Sequence, residues 1–261
     1  MTGLFLALVL FSGSVLAQTF DHSHRAWDHL LKKRVVLIAG GTASQLRYDG
    51  MAQDGPALKA YLGSLSGVKE EEFTSWNKPQ RMAFLINAYN AFTVELILEN
   101  YPVKSIKDIG GVFDDRWKRK FFSLFGRPAS LDQIEQDMLR KPGTYDEPRV
   151  HFALNCASVG CPMLREEAYF AERLDRQLEE QAERFLSDRS RNRYAGGRLE
   201  VSKIFDWYKE DFAPRERFFA RYAKLLADDP AAQKLIAEGK ARFYFLDYDW
   251  TLNGFPSSSP R

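Results

Sequence analysis

The side chains best suited to covalent chemistry in this chain lie in one short segment. It reads Arg149-Val-His-Phe-Ala-Leu-Asn-Cys-Ala-Ser-Val-Gly-Cys-Pro162 and contains both cysteines and one of the four histidines. A cysteine thiolate attacks carbonyl carbons, and a histidine can take the thiol proton and later return it. The residue types therefore indicate thiol-dependent hydrolysis of an amide, peptide or ester bond, or acyl transfer.

The elements around these residues decide which cysteine can meet His151. The apolar run 150–154 predicts a buried strand, in which side chains alternate between faces. His151 and Cys156 would then point to opposite faces, roughly 16 Å apart if the strand continued through both. Pro162 suits the first turn of a helix, and 164–186 has helical apolar spacing. A helix N-terminus lowers a thiol pKa, so Cys161 is the better placed nucleophile.

The two cysteines also have two non-catalytic interpretations. In an exported protein they are expected to form a disulfide, which requires Cα atoms roughly 4.4–6.8 Å apart. Closing so short a loop would add only about 2 kcal/mol, so its role would be to shape the loop. Alternatively, both sulfurs are inert buried thiols. The bridge is the expectation that we favour among the three.

Three acids are candidates to orient His151, namely Glu135, Asp247 and Asp249. In a strand-like segment 247–253, alternation would place both aspartates on one face, where paired carboxylates could hold a proton or a metal. The alternative is that these acids cap neighbouring loops and that His151 is a satisfied core residue.

The segment 80–99 predicts the central helix of the protein. It follows Pro79, ends before Tyr101-Pro102 and is apolar on nearly every side, as expected for a buried helix. Asn87 and Asn90 lie inside it, and a buried amide without a partner costs roughly 1–3 kcal/mol. Either they tie loops to the core or they line a site. The functional hypothesis is that both meet His151 and Asp247 or Asp249 in one pocket.

The remaining pattern predicts a mostly helical α+β domain with a small sheet. Further helices are expected at 21–33, 54–65, 130–139 (with Ser130 as N-cap) and 218–226, and short strands at 35–38, 46–48, near 199 and at 242–246. The expected organisation is a signal peptide at 1–17, one domain at 18–253 and a disordered Ser/Pro-rich tail at 254–261.

The N-terminal residues predict export to a bacterial periplasm or beyond. An apolar run at 4–15 precedes small residues at the cleavage positions before Gln18. No later segment is predicted to span a membrane. The net charge of +2, with acids and bases interleaved, gives no case for binding nucleic acid. His22, His24 and His29 could chelate a metal or be ordinary surface histidines; we predict no metal and no cofactor.

Three blocks together resemble the domain of unknown function 547 (DUF547) family. They are Ala83-Phe-Leu-Ile-Asn-Ala-Tyr-Asn-Ala-Phe92, Pro148 to Pro162, and Tyr248-Asp-Trp-Thr-Leu-Asn253, with weaker matches that include Ser202-Lys-Ile-Phe-Asp-Trp-Tyr-Lys-Glu-Asp-Phe212. In many members a histidine follows the acid that corresponds to Glu135, whereas this chain has Gln136. The resemblance implies relatedness and no activity. The papain-like and transglutaminase-like superfamily also places a central helix before strands with His and Asp, but here that helix carries Asn87 and Asn90 and no Cys, so the similarity is an analogy of order.

These observations favour an exported α+β domain with a polar site. If the protein is an enzyme, we expect hydrolysis of an amide, peptide or ester bond, or acyl transfer, that depends on a cysteine and a histidine. The candidate catalytic residues are His151, Cys161, Cys156, Glu135, Asp247 and Asp249. The candidate substrate-binding residues are Asn87, Asn90, Arg149, Asn155, Ser158 and Asn253. The alternative is a non-catalytic binding module of the cell envelope that uses the same pocket for a small molecule or peptide.

Overall fold

The structure is a computed structural model, and it describes residues 19–111 and 115–256. The predicted signal peptide at 1–17 and residues 257–261 of the predicted tail lie outside the described residues. The chain remains ordered to the end of the described part. Gly254 forms a parallel bridge with Leu46, and the amide of Phe255 donates to the carbonyl of Leu46 over 2.9 Å.

Helices dominate the described residues, and the predicted α+β class is confirmed. The α-helices are α1 (Arg25–Arg34), α2 (Tyr48–Gln53), α3 (Gly55–Gly67), α4 (Glu70–Ser75), α5 (Lys78–Glu99), α6 (Leu174–Ser187), α7 (Ile204–Trp207), α8 (Arg215–Arg221), α9 (Ala223–Leu226) and α10 (Pro230–Ala237). Short 3-10 turns occur at Ala39–Gly41, Ile106–Asp108, Pro148–Phe152 and Ala171–Arg173, and a π-helix at Gln133–Leu139. No helix among them is long and apolar enough to cross a membrane.

The strands form three small sheets. Two are antiparallel hairpins, β1 (Val35–Ile38) with β2 (Ala43–Leu46) and β3 (Phe122–Leu124) with β4 (Arg127–Ala129). The third contains β5 (Arg193–Ala195), β6 (Arg198–Val201) and β7 (Phe243–Phe245), with β6 antiparallel to β5 and parallel to β7. The parallel pair, in which Leu199 lies opposite Phe243, brings the C-terminal segment back to the middle of the chain.

Helix α5 is the central helix that the sequence predicts. It starts two residues earlier than expected, because Asn77 and Gln80 form a capping box with bonds of 2.9 and 3.1 Å. Nearly every residue from Met82 to Ile97 is buried. The helix packs on α3 and on the π-helix, which carries Glu135.

The hydrophobic core has two parts. The larger surrounds α5, and the smaller is rich in phenylalanine and surrounds α6 and β6. The 3-10 turn Pro148–Phe152 joins them, since Val150 packs in the first part and Phe152 in the second. His151 lies between these two anchors, which explains how its position is fixed.

The strand predicted at 150–154 is wrong. Residues Pro148–Phe152 form a 3-10 turn, which begins with proline and is capped by the carboxylate of Glu147 accepting the amide of Arg149 over 3.1 Å. A short apolar run does not by itself distinguish a strand from a buried turn. His151 and Cys156 are therefore not held on opposite faces of a strand.

The helix start predicted at Pro162 is also wrong. Helix α6 begins at Leu174, and the preceding segment is extended or bent. Its backbone groups bond to side chains rather than to one another: Asn155 donates to the carbonyl of Pro162, and Gln177 donates to that of Ala168, both over 2.8 Å. Cys161 consequently has no helix N-terminus to lower its pKa.

Other boundaries differ less from the predictions. Strand β1 is confirmed at its predicted bounds, whereas the strand expected at 46–48 lies at Ala43–Leu46 because Tyr48 begins α2. The helix expected at 218–226 is divided into α8 and α9 at Tyr222. Ser130 caps the helical turn before the π-helix, and it exchanges bonds of 3.1 and 3.3 Å with Gln133.

Candidate functional site

A cavity of about 260 Å³ contains the chemistry-bearing segment. Cys156, Cys161 and His151 line it together with Glu135 from the π-helix. Much of the remaining wall is aromatic, contributed by Tyr89, Trp117, Trp207, Tyr208, Tyr248 and Trp250. Concave sites of this kind, with few polar groups among aromatic ones, are typical of small-molecule binding.

The two sulfur atoms lie 2.7 Å apart, and both cysteines are free thiols in the structure. The sulfur of Cys156 also lies 3.2 Å from the hydroxyl of Ser158 and 3.2 Å from that of Tyr248. The backbone amide of Cys156 donates to the sulfur of Cys161 over 2.8 Å. The predicted disulfide stays a prediction, and the structure brings the two sulfurs together as that prediction requires.

The surroundings of the two thiols separate their pKa values. The hydrogen bond from Cys161 lowers the pKa of Cys156; burial opposes this, and the hydroxyls of Ser158 and Tyr248 lower it further. Burial raises the pKa of Cys161 well above its ordinary value, and the neighbouring Cys156 raises it further. Cys156 is half-buried and Cys161 buried, so Cys156 is the better nucleophile of the pair.

The loop that carries the cysteines is braced from two directions. Residues 157–160 pair with the C-terminal segment 249–253: the amide of Gly160 donates to the carbonyl of Asp249, and that of Val159 to the carbonyl of Thr251, both over 2.8 Å. Arg191 donates to the carbonyl of Val159 over 2.5 Å. Ala157 has φ of +60°, a conformation that non-glycine residues adopt rarely, directly after Cys156.

Asp211 holds His151 in place. Atom Nε2 of His151 lies 2.6 Å from Oδ2 of Asp211, and the ring stacks on Tyr208 with centroids 3.9 Å apart. Arg140 bonds to both carboxylate oxygens of Asp211, over 2.5 and 3.0 Å. Burial alone would raise the pKa of Asp211, but the bonds from His151 and Arg140 outweigh it and lower the pKa well below its ordinary value.

This arrangement fixes the tautomer of His151. Because Asp211 stays ionised, it can only accept, so the proton of the neutral imidazole lies on Nε2. Atom Nδ1 then carries the lone pair, and it forms no hydrogen bond with residues 19–111 or 115–256. His151, which lines the cavity, therefore has Nδ1 as its basic nitrogen.

Two of the candidate substrate-binding residues tie the core together instead of lining the cavity. Asn87 donates to the carbonyl of Tyr169 over 2.8 Å and accepts its amide over 3.0 Å. Asn90 likewise bonds the carbonyl of Ala153 and the amide of Asn155, over 2.9 and 2.8 Å. The oxygen and the nitrogen of each amide thus bond to the backbone, and neither residue lines the cavity, so the predicted convergence of these residues with His151 in one pocket is wrong.

The two C-terminal aspartates do not orient His151. Both side chains are exposed, neither lines the cavity, and the carboxylate of Asp249 accepts the amide of Thr251 over 2.8 Å. Asp211 takes the role that Asp247 and Asp249 were expected to have. Glu135 does line the cavity, near the hydroxyl of Tyr208.

The other candidate binding residues have structural contacts. Arg149 forms ion pairs with Glu147, Asp175 and Glu179, away from this cavity. Asn155 accepts the amide of Ala157 over 3.0 Å, and Asn253 accepts the hydroxyl of Tyr48 over 2.8 Å. Ser158 is buried and contacts the sulfur of Cys156.

The N-terminal histidines do not gather into a metal site. His24 is buried and bonds to the hydroxyl of Tyr61 over 2.8 Å, His22 packs edge-on against Trp76, and His29 is exposed. Across 19–111 and 115–256, no group of three or more His, Cys, Asp or Glu side chains could hold a metal ion.

Sequence reasoning missed Asp211, Arg140, Tyr208 and Tyr248. Tyr208 and Asp211 lie in the segment 202–212, and Tyr248 lies in the segment 248–253. Both segments contributed to the resemblance to the DUF547 family. That resemblance was the available signal, since local spacing does not show that residue 211 meets residue 151.

Comparison with known families matches part of the chain. The model of a family described as a protein of unknown function, DUF547, matches residues 73–186, which confirms the resemblance predicted from the sequence. The match covers α5, the π-helix and the segment with His151, Cys156 and Cys161. No curated protein and no solved structure matches the chain.

Proposed function

We propose an activity from the cavity itself: hydrolysis of an amide, peptide or ester bond, or transfer of its acyl group. The family model that matches residues 73–186 describes a protein of unknown function and names no activity. Cys156 is the nucleophile, His151 the base, and Asp211 the acid that orients His151. One observation supports this most strongly. A thiol with a lowered pKa lines the same cavity as a histidine whose Nε2 is held 2.6 Å from a carboxylate.

The proposed reaction has two steps. The sulfur of Cys156 attacks the carbonyl carbon as Nδ1 of His151 takes the thiol proton, and a thioester forms as the amine or alcohol leaves with that proton. Water, or a second nucleophile, then loses a proton to His151 and attacks the thioester. The acid or new acyl product leaves, and the proton returns to the sulfur of Cys156.

Cys161 supports the nucleophile in this proposal and does not attack. Its hydrogen bond to Cys156 is the largest influence that lowers the pKa of Cys156. This reverses the preference for Cys161 that the expected helix start suggested. The phenol of Tyr248, 3.2 Å from the sulfur, stays protonated because burial raises its pKa, and it serves as a second donor.

Iodoacetamide labelling across pH tests the nucleophile. We expect Cys156 to alkylate with an apparent pKa below the ~8.5 of free cysteine, and Cys161→Ala to raise that value. Cys156→Ala should abolish both the fast labelling and the hydrolysis of activated esters. A Cys156 that labels no faster than a free cysteine would exclude it as the nucleophile.

A binding module remains the second candidate, because the cavity wall is largely aromatic. Thiol counting on the protein isolated from its native compartment separates the two functions. Two free thiols support the enzyme. A stable Cys156–Cys161 bridge leaves no resting nucleophile and supports the binding module.

We also propose that the protein is exported, on the basis of the apolar run at 4–15 and the small residues that follow it. Mass spectrometry of the purified native protein should find an N-terminus at Gln18. Residues 1–17 retained on cytosolic protein would contradict export.

A further inference from the structure

The carboxylate of Glu135 is buried in the cavity wall without a cationic partner. The residue is 7% exposed, and within 19–111 and 115–256 it forms no ion pair. Its polar neighbour is the neutral hydroxyl of Tyr208. An ionised carboxylate is unfavourable at such a position unless a positive charge reaches it.

Two basic residues near the cavity, Arg140 and Lys118, are paired with other acids. Arg140 bonds both oxygens of Asp211, and its Nη1 also donates to Gln136. The Nζ of Lys118 lies 3.8 Å from Asp115, at the exposed edge. Asp132, a further lining residue, is half-buried and forms no ion pair in the described part of the chain. Glu135 and Asp132 therefore line the cavity without an ion-pair partner among the described residues.

The aromatic part of the wall is equally suited to a cation. Trp117, Trp207 and Trp250 lie close together, with both Trp117 and Trp207 ring centroids 5.7 Å from that of Trp250. The Nζ of Lys107 already lies 5.0 Å from the Trp250 ring, so these indoles attract cations of the protein itself. Indole faces beside a carboxylate are the combination that recognises alkylammonium groups.

We propose that the cavity binds an alkylammonium group of the substrate, paired with Glu135 and packed against the tryptophans. That this ligand is a substrate rests on the proposed function, whereas binding of the cation does not. The expected substrate is an amide or ester whose acyl part carries a positive charge, and anionic substrates should bind more weakly.

Calorimetry with choline and its uncharged carbon isostere, 3,3-dimethylbutan-1-ol, tests the inference. The protein carries Cys156→Ala, so that binding is measured without chemistry. We expect choline to bind about tenfold tighter or more, in line with desolvated cation–π and ion pairs. Equal affinity for the two compounds would overturn the proposal, and this comparison needs no change at Glu135.

Two variants localise the effect. Glu135→Gln should reduce choline affinity to that of the isostere. Asp137→Asn makes the same charge change on the same π-helix at an exposed residue that does not line the cavity, and it should leave the preference intact. Loss of the preference in both variants, or in neither, would contradict a role for Glu135.

Paired esters separate this inference from the proposed function. The p-nitrophenyl esters of 4-(trimethylammonio)butanoate and of 5,5-dimethylhexanoate differ only by nitrogen or carbon at the branch. A higher kcat/KM for the cationic ester supports both proposals. Equal hydrolysis of both esters overturns the cation inference while the activity stands. Choline selectivity without hydrolysis of either ester supports the cation site and rejects the catalytic proposal.

Discussion

Nε2 of His151 lies 2.6 Å from Oδ2 of Asp211, although sixty residues separate them in sequence. His151 is held on a 3-10 turn between the two parts of the core, and Asp211 follows α7. Their contact joins these two regions at the wall of the cavity. It also leaves Nδ1 as the nitrogen of His151 that would accept the thiol proton of Cys156 in the proposed reaction.

Asp211→Asn should reduce the esterase activity proposed here by about 10²–10⁴-fold in kcat. The amide can donate to Nε2, which would place the proton on Nδ1 and remove the base. Steady-state kinetics on an activated ester measure the effect. Glu210→Gln makes a similar charge change on the neighbouring exposed residue and should leave kcat within twofold of wild type. A kcat within twofold of wild type in Asp211→Asn would contradict the proposed role of His151 as base.

The sequence predicted secondary structure well where the apolar periodicity was strong, and poorly where tertiary contacts decide local structure. Helix α5 follows from its apolar pattern and its flanking prolines. The turn at Pro148–Phe152 does not, because the same apolar residues would suit a strand. The segment after Cys161 has helical spacing, but its backbone bonds to Asn87, Asn155 and Gln177, and no local pattern reveals those distant partners.

The candidate site was predicted in part. The cysteines, His151 and Glu135 share the cavity, since the segment that carries three of them is short and Glu135 belongs to the helical turn that packs on α5. Asp211 was missed because an orienting acid is defined by distance in space. Asn87 and Asn90 were buried polar residues as expected, but burial of an amide is explained equally well by bonds to loop backbones.

Asn90→Ala should destabilise the fold without a specific effect on catalysis. It leaves the carbonyl of Ala153 and the amide of Asn155 without their partner, which costs on the order of 3 kcal/mol for two buried groups. Urea denaturation should show a lower midpoint with an unchanged m-value. Asn100→Ala, which removes one bond from a partly exposed residue at the end of α5, should cost less than about 1 kcal/mol. Equal losses would contradict a special role for Asn90.

His24 should make the protein less stable in mild acid. Burial lowers its pKa to about 3, from an ordinary value of 6.5. Between these values the unfolded chain binds a proton that the folded protein does not, so stability is complete above about pH 6.5 and falls as the pH drops, by up to about 1.4 kcal/mol per unit. His22, whose pKa burial also lowers, acts in the same direction.

Urea denaturation between pH 5.5 and 7 measures this dependence, because most carboxylates titrate below that range. His24→Gln should be less stable at pH 7 and should have a flatter pH profile. The exposed His29 provides the control, and His29→Gln should retain the wild-type slope. A slope unchanged in His24→Gln would show that another group is responsible.

Gly160→Ala tests whether pairing with the C-terminal segment positions the hydroxyl of Tyr248 beside Cys156, the proposed nucleophile. A Cβ at residue 160 would lie 2.9 Å from both the backbone nitrogen and the backbone oxygen of Asp249. Backbone atoms cannot move aside as a side chain can, so segment 249–253 must shift, at a cost of about 1–3 kcal/mol. Tyr248 would move with it and withdraw its hydroxyl from Cys156, and the apparent pKa for alkylation of Cys156 should rise.

Gly63→Ala is the matched control, since residue 63 is exposed in α3 with open space around its Cβ. There the change should stabilise the helix by up to about 1 kcal/mol. A Gly160→Ala protein that loses stability but keeps the wild-type alkylation profile would show that Tyr248 does not lower the pKa of Cys156.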